Sequence, residues 1–185
     1  IDFLVKQEEW EVTYKIFNKL GYSPTPLTSS KIESGRVPIH TNLFGRGRLV
    51  EIHTDIVRLT IPLQTEEEVW ERKRRLQVDK CEVYLPSLEH TLVNLCLHLH
   101  KSGFSVFLWV LDIIGFLKKW RREIDWEYLR RFILQTNTHP FIYAVLSMIN
   151  EIMPGSVPES FLFSIKPHPL IENLVKYLWK GKPYL

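Results

Sequence analysis

Leu49-Val50-Glu51-Ile52-His53-Thr54-Asp55-Ile56-Val57 alternates apolar and polar side chains, the pattern of a strand that turns one face to a core. A side-chain period of two sets Glu51, His53 and Asp55 on the other face. The chain opens on a second strand of this kind, Ile1-Asp2-Phe3-Leu4-Val5, with one carboxylate among apolar residues. An unpaired buried charge is costly, and hard divalent cations take oxygen ligands. Two acid-bearing strands in one small domain are what such a cation site requires. The opening strand has no Met, turn or cap ahead of it, so we expect a natural upstream segment.

Outward from these strands, Gly45-Arg46-Gly47-Arg48 lies between two apolar runs and signals a hairpin. Trp10, Tyr14, Phe17 and Leu20 recur at helical spacing within Gln7–Leu20, and Gly21 is a stop signal. Residues 23–38 hold three prolines and many Ser and Thr, and read as a loop. Thr65-Glu66-Glu67-Glu68 reads as a capped acidic helix start, with Arg72–Arg75 at the far end, which suits the helix dipole. Cys81–Leu85 reads as a short strand.

From Pro86 onward the pattern is helical: Ser87 to about Ser102, then 105–120, 126–135, 140–153 and 169–180. The expected fold class is α+β, a partial mixed sheet with helices over residues 1–85 followed by an all-helical bundle over 86–185.

Composition narrows the function classes. A net charge of +3 over 185 residues does not by itself argue for nucleic acid, and 45% hydrophobic content is enough for a core. Cys81 and Cys96 lack a CxxC spacing and read as buried thiols of a reducing cytoplasm. No apolar run reaches the roughly 20 residues of a membrane helix. The basic clusters at 72–75 and 118–122 have acidic neighbours and read as solvated helix ends rather than a nucleic-acid surface. His90, His98 and His100 lack the spacing of a helical metal pair. Asp112, amid apolar residues, needs a partner if buried, and His98 or Lys101 is the candidate.

Taken as residues alone, Asp2 reads equally as a strand-end acid and Glu51 as a surface residue of a half-exposed hairpin. His53 reads as a hydrogen-bonded structural histidine.

The order of segments adds a resemblance. Ile-Asp-Phe-Leu-Val, a helix ending Lys-Leu-Gly-Tyr, Val-Glu-Ile-His at 50–53, Leu92–His100, Leu108–Ile113 and Asp125-Trp126 together resemble a largely uncharacterised bacterial nucleotidyltransferase group of the DNA polymerase beta-type superfamily. The resemblance implies transfer of a nucleotidyl group from an NTP to an acceptor, whether small molecule, protein or RNA. It implies one or two Mg²⁺ ions. It makes Asp2 the second acid of an Asp-x-Asp motif, Glu51 the third acid, and His53 a support to Glu51. On this basis Asp2 and Glu51 are the metal ligands, and Asp2, Glu51 and His53 the catalytic set. The motif's first Asp would stand just before Ile1, with a phosphate-binding turn further upstream, so the resemblance implies an N-terminally truncated chain. The resemblance identifies no nucleotide-binding residues. The alternative function is a non-catalytic binding module of the same fold, with a protein or nucleic-acid partner or a toxin–antitoxin role. A cytoplasmic location without membrane attachment is expected, and oligomerisation is compatible with the sequence.

Overall fold

The computed structural model describes residues 2–26, 40–54, 64–103 and 107–173. It divides into two compact units, Ile1–Thr60 and Ile61–Leu185. The architecture is mixed α and β, with a small mixed sheet and several helices.

In the first unit, β1 (Asp2–Leu4) leads through a single 3-10 turn (Gln7–Glu9) into α1 (Trp10–Lys19). Then come β2 (Ser23–Pro24), β3 (His40–Gly45) and β4 (Arg48–His53). The sheet order is β1-β4-β3-β2. β1 runs parallel to β4, while β3 is antiparallel to both β4 and β2.

The β3–β4 hairpin turns on Arg46 and Gly47, both at positive φ (52° and 73°), as a two-residue turn matched to strand twist requires. That turn fixes the register: Gly45 faces Arg48, Asn42 faces Glu51, and His40 faces His53. Alternation follows directly. Leu43, Val50 and Ile52 point to one face and form a core with Trp10, flanked by Val5, Tyr14, Phe17 and Tyr22. Inside this core the Trp10 indole N–H donates to the Thr41 hydroxyl at 2.9 Å. A Cβ added at Gly45 would collide with the Gly21 carbonyl and come within 2.8 Å of the Tyr22 Cα. Glycine is therefore what lets the chain after α1 pass so close to β3.

The second unit begins with α2 (Gln64–Glu71) and a hairpin of β5 (Arg74–Val78) and β6 (Cys81–Leu85). Helices follow: α3 (Leu88–Lys101), α4 (Phe107–Trp120), α5 (Trp126–Gln135), α6 (His139–Ile152) and α7 (Glu159–Ser164). Helix α3 packs on α4, α5 and α6. Leu92, Leu99, Ile113, Leu117, Leu129, Phe132, Ile142 and Ile149 are fully buried in this unit. Ser87 caps α3 by accepting the His90 N–H at 3.2 Å, and Asp125 caps α5 by accepting the Tyr128 N–H at 2.9 Å.

A buried polar network ties these caps together. The His90 ring bonds Ser87 Oγ through Nδ1 (3.1 Å) and Tyr128 Oη through Nε2 (2.8 Å). The buried Glu89 carboxylate accepts the Asp125 N–H at 2.8 Å. Arg72 Nη2 lies 3.9 Å from both Glu89 and Asp125, and its guanidinium sits 3.7 Å above the Tyr128 ring.

Several expectations from the sequence change here: Ser23–Pro24, within the stretch read as a loop, forms β2, and Arg74 and Arg75, read as a helix end, open β5. Asp112 is exposed, so it needs no buried partner, and His98 instead packs edge-on against Trp109 with ring centroids 5.6 Å apart. Cys81 is exposed on its hairpin, while Cys96 is buried as expected. Arg72 stacks on an aromatic ring instead of being only a solvated helix end. Among the described residues no helix is long and apolar enough to cross a membrane.

Candidate metal centre

The face of the first sheet opposite the Trp10 core carries the candidate site residues. Strand alternation places Glu51 and His53 of β4 there, with His40 and Asn42 from β3 and Asp2 and Leu4 from β1. Asp2 is paired in register with Glu51 across the parallel β1–β4 ladder. The structure therefore brings the three sequence-derived site residues, Asp2, Glu51 and His53, to one face of adjacent strands. Asp55 lies outside the described residues.

His40 also belongs to this face and was not singled out from the sequence. Its Nε2 lies 3.0 Å from Glu51 Oε2. His53 Nε2 lies 3.4 Å from the same oxygen. The two imidazole rings are 4.7 Å apart between centroids. One donor atom from each of His40, Glu51 and His53 lies within 4.8 Å of the others, and all three residues are half-buried. Asp2 is exposed at the end of the group.

The electrostatics of Glu51 and His53 are each set by opposing effects. Burial pushes the Glu51 carboxyl up, but the hydrogen bonds and charges of His40 and His53 outweigh it, and its pKa ends below the ordinary value. For His53, burial and the charge of His40 push the pKa down, and the opposing charges of Asp2 and Glu51 do not restore it. The arrangement at neutral pH is an ionised carboxylate beside imidazoles, one of which is held neutral.

Such a set can bind a cation, orient a carboxylate or hold a proton. The register signal for His40 was available in the sequence. A two-residue turn at Arg46-Gly47 places Gly45 opposite Arg48, and stepping back along both strands pairs His40 with His53.

The chain matches the profile of the uncharacterised nucleotidyltransferases over residues 1–154, and it belongs to that family. No curated protein and no solved structure matches it significantly.

Proposed function

We propose that this chain carries a metal-dependent nucleotidyl-transfer site in which Asp2 and Glu51 are the carboxylate ligands of a divalent cation. Family membership supports a nucleotide substrate. The observation that carries the site assignment is the parallel pairing of Asp2 with Glu51. It joins acids 49 positions apart on the sheet face that lies away from the Trp10 core.

The donor chemistry fits Mg²⁺ on these two residues, since carboxylate oxygens are the ligands hard cations take. When bound, such an ion neutralises triphosphate charge and favours release of pyrophosphate. In the transfer, an acceptor hydroxyl oxygen bonds to the α-phosphorus of the NTP. The bond from that phosphorus to the bridging oxygen breaks, pyrophosphate leaves, and the hydroxyl proton passes to solvent.

Within this reading Glu51 stays ionised because two imidazoles face it. His53 and His40 are its positioning residues, fixing the carboxylate in one orientation. Exposed Asp2 is reachable by a solvated NTP. The acceptor is a hydroxyl-bearing small molecule, protein or RNA.

The test is incubation of the natural protein with each of four α-labelled NTPs, Mg²⁺ and separate pools of these acceptors. Label transfer that Asp2→Asn and Glu51→Gln abolish supports the reading. A folded protein that transfers none of them, and binds no NTP, overturns it in favour of a binding module.

A further inference from the structure

Two imidazole nitrogens and one carboxylate converge on a space the size of a coordination sphere. Magnesium has no need of the nitrogens, because it is bound by oxygen and keeps much of its water. Imidazole suits zinc, copper, iron and nickel. With metal–ligand distances of about 2.1 Å, neighbouring donors of an octahedral or tetrahedral ion lie roughly 3.0–3.4 Å apart. Glu51 Oε2 accepts a hydrogen bond from His40 Nε2 at 3.0 Å and lies 3.4 Å from His53 Nε2, and an ion bound there would take the place of the protons on those nitrogens.

The backbone fixes these positions without help from an ion. His40 and His53 are directly opposed across the hairpin, and Glu51 is two residues back along the same strand face. The tight turn at Arg46-Gly47 and the Leu43–Val50–Ile52 core behind the sheet hold that register. Three donor-bearing residues from two paired strands are thus brought together by the backbone before any ligand arrives, which limits the ordering cost of binding. Three protein donors also leave positions open for water or phosphate oxygens, the arrangement of a reactive rather than a purely structural metal centre.

We infer that His40 Nε2, His53 Nε2 and a Glu51 carboxylate oxygen bind one first-row transition dication directly, in preference to Mg²⁺. This rests on the reading of Glu51 as a cation ligand, and it changes the class of the cation and adds His40 and His53 to the ligand set. Asp2 is paired with Glu51 on the neighbouring strand of the same face.

The test uses Co²⁺ as a visible probe on the whole chain, without nucleotide. One equivalent of Co²⁺ should produce a d–d absorption band that a stoichiometric amount of Zn²⁺ removes and millimolar Mg²⁺ leaves in place. His40→Ala and His53→Ala should each weaken Co²⁺ binding at least tenfold, with the fold checked by far-ultraviolet circular dichroism. If either variant unfolds, the unsubstituted protein decides the matter. Its Co²⁺ form should show paramagnetically shifted proton signals from two imidazole rings. No Co²⁺ binding by the folded chain, an affinity unchanged in the folded His40→Ala and His53→Ala variants, or the absence of shifted imidazole signals overturns the inference.

The two readings fail separately. Co²⁺ held through two histidines with no NTP binding sinks the transfer reading and keeps the metal site. Mg²⁺-dependent NTP binding that survives loss of both histidines, with no Co²⁺ bound, does the reverse.

Discussion

Asp2 and Glu51 sit directly opposite each other on neighbouring parallel strands, 49 positions apart in the chain. A parallel pair needs a crossover between its strands, and here the connection includes α1, whose aromatic face covers the other side of the sheet. The apolar core on one face and the acid pair on the other are thus two consequences of one alternation. Substitutions on the core face should therefore disturb the site through register, without touching it.

The Thr41 hydroxyl tests this. It is fully buried and is the acceptor of the Trp10 indole N–H. Thr41→Val keeps the shape but strands that N–H in the core, at a cost of about 1–3 kcal/mol. Amide hydrogen exchange across 40–53 should speed up, with the second unit unchanged. Unaltered exchange there would show that the bond contributes nothing.

Gly45→Ala tests the close approach of the Gly21–Tyr22 backbone to β3. The added Cβ meets backbone atoms, which cannot rotate away as a side chain would. Overpacking of this kind costs about 1–3 kcal/mol. A fall in the denaturant midpoint of the first unit is expected, and a neutral result would mean that β2 moves aside freely.

The second unit should lose stability in mild acid through His90. Burial lowers its pKa to about 4, against the pull of Glu89 and with the help of Arg72. The unfolded chain protonates this imidazole near its ordinary value of 6.5, so between 6.5 and about 4 the unfolded state binds more protons. Stability is full above that window, falls as pH drops through it, and levels off below it. The loss is on the order of 3 kcal/mol. His100 and His139 are also lowered by burial and add to it with the same sign. Urea midpoints from pH 7 to 4 should show the slope, and His90→Gln should reduce it. An identical slope in the variant would place the titration elsewhere.

Much of this was legible in the sequence because it rests on local pattern. Period-two alternation gave β4 and its Glu51–His53 face, and helical spacing gave α1. Ser87, just ahead of a helical pattern, is a cap residue type and does cap α3. What was missed depends on strand pairing or on tertiary contacts. His40 follows a proline-containing stretch and has no motif of its own; only the hairpin register brings it to Glu51. Asp112 lies in an apolar run, yet α4 turns it outward while Ile113 and Leu117 face the core. The Ser87–His90–Tyr128 network joins residues up to 41 positions apart and has no sequence signature.

Calorimetry of ATP and GTP binding, with and without Mg²⁺, tests the central claim most directly, using the natural protein and its Glu51→Ala variant. The account predicts binding that requires the divalent cation and weakens by about tenfold or more when the carboxylate is removed. Binding indifferent to both, or a folded protein that binds neither nucleotide, would contradict it.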